Sequence, residues 1–85
     1  MQNYLLLSRS ITHAQRMNAA LQRAGVSGRI SRPPVGLTDK GCSYAVQIGE
    51  RYFSEAMQYL RAAQLLPERV FYTAGNGIYR EIGLL

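Results

Sequence analysis

Two helical stripes, each set between short strand-like runs, most constrain what this chain can fold into. Apolar residues recur at helical spacing at Ile11, Ala14, Met17, Leu21 and Ala24, and again at Phe53, Ala56, Met57, Leu60 and Ala63. Between and around them lie Tyr4-Leu5-Leu6-Leu7, residues 26–31, residues 42–48 and Val70-Phe71-Tyr72-Thr73, all short enough for strands. Ser10 or Thr12 is placed to cap the first helix, and Gly25 to end it in the left-handed conformation. The second helix is expected over residues 50–64, closed by Leu65-Leu66-Pro67. Gly75-Asn76-Gly77 reads as a turn, with residues 78–82 returning as a short fifth strand.

The order β-α-β-β-α-β predicts an α+β sandwich of ferredoxin-like type. It consists of one antiparallel sheet with two helices on one face, and the terminal hairpin is an addition. Eighty-five residues leave room for a single domain, 1–85, and no second core. This topology makes a spatial prediction. The third strand lies beside the first and runs against it, so its start meets the end of strand one, the start of helix one and the end of strand two. Cys42 is therefore expected near residues 8–13 and 32–34, all distant in sequence.

Cys42 is the only cysteine, which excludes an internal disulfide, a CxxC redox pair and a four-thiolate zinc site. It follows Lys40 and Gly41 where a loop becomes a strand. A free thiol is only about 3% ionised at neutral pH, and making thiolate the majority form takes ~2.7 kcal/mol. A helix N-terminus supplies ~0.3–1 kcal/mol, so at least one cation must also stand close. Arg32, at the end of a strand, is the first candidate; Lys40, Arg9 and a protonated His13 are the others. Gly41 would let backbone approach a transferred atom. His13 can also serve as proton acceptor to the thiol, the one enzyme-like arrangement the chain offers. No ligand spacing points to a metal, and no cofactor is expected.

Charge narrows the partners. The net charge is +5, but nine arginines and one lysine are scattered along the chain without a basic block, which disfavours nucleic acid. The N-terminal residues lack a basic, apolar leader pattern and no stretch is long enough to span a membrane, so a cytoplasmic location with a reduced thiol is expected.

The chain resembles the small bacterial selenium/sulfur carrier-like family. The similar elements are Ser8-Arg9-Ser10-Ile11-Thr12-His13-Ala14 at the opening of the first helix, Arg32-Pro33-Pro34 at the end of strand two, and Gly41-Cys42-Ser43-Tyr44-Ala45 around the thiol. The resemblance implies a non-enzymatic carrier whose cysteine accepts sulfur or selenium as a persulfide-type adduct from a cysteine desulfurase-type donor and passes it to an acceptor protein. In that reading Ser10, His13, Arg32, Lys40 and Gly41 support Cys42. The alternative is a non-catalytic protein-binding or regulatory module that uses the open sheet face or an edge strand, with the 78–85 segment packing against a second copy to form a homodimer. Against either function stands a plainer reading of Cys42 as a small buried hydrophobe.

Overall fold

The computed structural model describes residues 2–34, 36–37 and 44–83. Five strands and two helices follow one another as β1 (Asn3–Ser8), α1 (Ile11–Arg23), β2 (Arg29–Ser31), β3 (Tyr44–Gly49), α2 (Phe53–Ala62), β4 (Arg69–Thr73) and β5 (Tyr79–Ile82), with a 3-10 turn at Glu50–Tyr52 leading into α2. The sheet order is β2-β3-β1-β4-β5, and every neighbouring pair is antiparallel. The expected α+β architecture is thus present, and its strand order is compatible with the ferredoxin-like arrangement. The terminal hairpin is formed as well. Gly75 and Gly77 take φ of 91° and 83°, and the Ile78 amide donates to the Asn76 side chain (3.2 Å).

β1 is the central strand and alternates between two cores. Leu6 joins Ala14, Met17 and Leu21 of α1, Ala56 and Leu60 of α2, and Val46, Ile48 and Val70 of the sheet in one buried cluster. Both helices therefore cover the same sheet face. Leu5 and Leu7 point the other way and form a second cluster with Ala45 and Phe71, all at most 5% exposed. The sheet face away from the helices is consequently not open, as the protein-binding alternative supposed. Leu37 from the β2–β3 connection and Tyr79 pack on it. The Leu37 amide donates to the Pro34 carbonyl (3.1 Å), in a turn where Gly36 takes φ of 87°. Arg69 completes this layer. Its guanidinium lies 5.2 Å from the Phe71 ring centroid and donates twice to Glu81 across the sheet (2.7 and 2.9 Å). Those bonds hold the exposed Glu81 carboxyl below its usual range.

Two elements are shorter than their sequence patterns suggest, and both helices end by one device. After α1, the Val26 amide donates to the Leu21 carbonyl (2.8 Å) and the Gly25 amide to the Gln22 carbonyl (3.1 Å), with Gly25 at φ 82°. This is a Schellman motif. It draws Val26 into the core at 0% exposed, so strand two begins only at Arg29. After α2, the Leu65 amide donates to Leu60 (2.8 Å) and the Gln64 amide to Arg61 (3.1 Å), and the left-handed position at φ 58° is occupied by Gln64. The second helix therefore stops at Ala62, and Ala63, expected in the apolar stripe, is exposed. Its start is also later than expected, because residues 50–52 form the tighter 3-10 turn.

Tyrosines that fall on separate elements are partly gathered at the far end of β1. Tyr4 stacks on Phe53 with ring centroids 3.8 Å apart and tilts against Tyr72 at 5.1 Å. Burial, with Glu50 nearby, pushes the Tyr4 phenol pKa up. Among the described residues no helix is long and apolar enough to cross a membrane.

Gln64 is the one non-glycine residue with positive φ among the described residues. Gln64→Gly is therefore expected to stabilise the fold by about 0.5–1 kcal/mol, since an L-side chain is disfavoured there. Urea unfolding would show it as a higher midpoint at unchanged slope; an unchanged or lower midpoint would contradict the cap assignment.

Candidate functional site

The end of β1 is where the chain concentrates polar side chains. Pairing runs from Asn3 opposite Gly49 to Ser8 opposite Tyr44, and β2 joins the other side of β3 with Ser31 opposite Ala45. The end of β1, the end of β2, the start of β3 and the start of α1 thus meet at one edge, as the topology predicted.

Ser8 is the last residue of β1, and its even position turns it to the helix side. It is only 2% exposed, so its hydroxyl must find partners within the protein. The Ser8 Oγ donates to the Ser10 carbonyl (3.1 Å), accepts from the Ser10 amide (3.3 Å) and lies 2.6 Å from His13 Nδ1. Ser10 is the N-cap of α1, with extended backbone, and its hydroxyl accepts from the His13 amide (3.0 Å). Because Ser10 caps the helix, His13 stands in its first turn, facing back toward the strand end. Ser8, Ser10 and His13 therefore form one connected network. Sequence reading singled out Ser10 and His13 but missed Ser8. A lone polar residue ending an apolar run was the available signal.

Arg32 extends from the end of β2, and its guanidinium carbon lies 5.1 Å from the Tyr44 ring centroid. That cation–π contact holds the arginine beside the first residue of β3 and contributes about 0.5–1 kcal/mol at such an exposed site. Tyr44 was not singled out in the sequence, although its position directly after the cysteine segment suits it to this role. Arg9, expected to add positive charge here, is already paired. Its side chain donates to Glu68 Oε1 (2.6 Å), and its backbone amide donates to Oε2 (3.2 Å). Glu68 is itself fixed by donating its amide to the Leu7 carbonyl (2.8 Å). Among the described residues, the positive character of this edge thus falls to Arg32 and the α1 N-terminus, with no acidic side chain in the first turn of α1.

Cys42, Lys40 and Gly41 lie outside the described residues. What the fold supplies is the anchor at Tyr44.

Ser10→Ala is expected to lower stability by about 1 kcal/mol, the usual effect of losing an N-cap hydroxyl. Denaturant unfolding checks this, and Ser10→Asp should retain most of the lost stability. Equal losses in the two variants would contradict the capping role.

The family described as Putative Se/S carrier protein-like matches residues 3–72, which takes in β1 through β4 apart from its final residue and includes every residue of the network above. The chain belongs to that family. No curated protein and no solved structure gives a significant match.

Proposed function

We propose that this member of the selenium/sulfur carrier-like family holds sulfur or selenium on Cys42 and hands it on without catalysing a reaction of its own. Family membership supports the carrier reading at the coarse level. The observation that carries the finer reading is the pairing of Ser8 with Tyr44. It sets Tyr44, two residues after the only thiol in the chain, at the edge where Ser10, His13 and Arg32 gather.

The chemistry needs one nucleophilic sulfur and no external oxidant. The Cys42 thiolate attacks the terminal sulfur of a persulfide on a cysteine desulfurase-type donor. A new S–S bond forms on Cys42 as the donor's S–S bond breaks, and the donor cysteine leaves as a thiolate. Attack by an acceptor nucleophile on the terminal sulfur returns Cys42 to its thiolate and completes the transfer. Selenium would follow the same course through an S–Se bond. Arg32 and the α1 N-terminus favour the anion on Cys42 before the transfer and after it.

Incubation with a persulfide donor, followed by intact mass measurement, tests this reading. The expected result is a gain of one sulfur atom, reversible by a thiol reductant and absent in Cys42→Ser. No adduct on the native chain, or an equal gain in Cys42→Ser, would overturn it.

A further inference from the structure

The sheet is wider than the helical layer that covers it. Strands lie about 4.8 Å apart and packed helices about 10 Å apart, so two helices cover about four strands. The fifth strand is β5, at the sheet edge. α1 packs on β1, β2 and β3 and against α2. Both crossovers, β1 to β2 and β3 to β4, join parallel strands and take the right-handed course, which sets α1 on one flank of α2 and β5 on the other. The turn of α2 carries Phe53, Met57 and Arg61 to the β5 side of its buried Ala56 and Leu60. There a groove of about 660 Å³ runs along the helix, lined by Phe53, Ser54, Met57, Gln58, Arg61 and Ala62. Beyond it lies the helix-side face of β5. Ile82 packs on the helix-side core, so Arg80, two residues earlier, faces the same side.

The chemistry of this surface is one-sided. Phe53 and Met57 are half-buried and apolar, while Ser54, Gln58 and Arg61 are exposed. Glu55, the one acidic residue of α2, is not in the lining. Arg80 is exposed and has no hydrogen bond or ion pair among the described residues. Its neighbour Glu81 faces the other side of the sheet, tied to Arg69. An apolar strip is thus bordered by two arginines, with no carboxylate among the described residues that line it. The groove follows α2 from Phe53 to Ala62, about 14 Å at the helical rise, the length of about two and a half turns of another helix.

We propose that this groove docks an amphipathic helix of a partner protein, with apolar residues on Phe53 and Met57 and acidic residues against Arg61 and Arg80. Such a helix would extend the helical layer over β5. Charge favours this occupant over a second copy of the chain. A two-fold contact through the same face would gather both pairs of arginines in one interface without a carboxylate to offset them. The assignment is independent of the carrier reading, which rests on other residues.

Amide NMR of the native chain, titrated with a synthetic helical peptide, tests this. The peptide carries leucine at positions i, i+3, i+4 and i+7 and glutamate elsewhere, and a control peptide carries lysine in place of every glutamate. Shifts should concentrate at residues 53–62 and 80–82 with the glutamate peptide and be absent with the lysine peptide. Gln58→Glu and Arg80→Glu, both at exposed positions, should each weaken binding by about tenfold or more. Arg16→Glu on α1 changes the net charge as Arg80→Glu does and should leave binding unchanged. No binding, shifts centred elsewhere, equal binding of the lysine peptide, or an equal loss in Arg16→Glu would overturn the proposal. A native chain that sediments as a dimer, and as a monomer with Gln58→Glu, would assign the face to a second copy and overturn it as well. So would binding seen only in a chain ending at Gly83, which would assign the groove to Leu84 and Leu85.

Discussion

The antiparallel register of β1 against β3 is the constraint on which the rest of the structure depends. β1 is hydrogen-bonded on both sides and buried on both faces, with Leu6 in the helix-side cluster and Leu5 and Leu7 in the rear one. A slip of one residue would exchange the faces, sending Leu6 to the rear layer and two leucines into the space shaped for one. It would also turn Ser8 away from α1 and break its contact with His13. The forces that fix the core therefore fix the polar edge. Burial of a leucine side chain is worth about 1.5–3 kcal/mol, whereas a typical hydrogen bond nets only about 0.5–1.5 kcal/mol. The leucines set the register and the Ser8 network follows from it.

The electrostatics of that edge are narrower than the net charge suggests. Of the cations placed there by sequence, Arg9 is tied to Glu68. Arg69, nearby at the start of β4, is tied to Glu81. Arg32 is held by the Tyr44 ring at the start of β3. A helix N-terminus contributes ~0.3–1 kcal/mol toward an anion, well short of the ~2.7 kcal/mol that a majority thiolate requires. The Arg32 guanidinium, held beside Tyr44, adds to the positive character of this edge.

Much of this was legible in the sequence, for identifiable reasons. The stripes Ala14/Met17/Leu21 and Ala56/Leu60 read as core because their spacing is helical and nothing polar interrupts it. Gly25 announced the end of α1 because glycine suits a left-handed cap. The end of α2 did not announce itself, because Gln64 occupies the same conformation without the glycine signature. Strand two looked longer than it is because Val26 is apolar and β-branched, yet it serves the helix cap rather than the sheet. Ser10 and His13 were readable from local capping logic. Ser8 was not, since its importance comes from burial and from a ring five residues on, and sequence shows neither. The second core behind the sheet was hidden for a similar reason. Leu37 lies in a polar connection, and only the folded chain brings it against Leu5, Leu7 and Phe71.

The central claim is that strand register delivers the thiol segment to the His13 edge. Cys42 is the only cysteine, so a nitroxide label can be attached to it without any substitution, and amide signals broaden according to their distance from it. Labelled protein should lose intensity most strongly at residues 10–14 and at Arg32, and least at Glu50 and Gly75 beyond the opposite end of the sheet. Strongest broadening at Glu50 or Gly75, or uniform broadening over the whole sheet, would contradict the account.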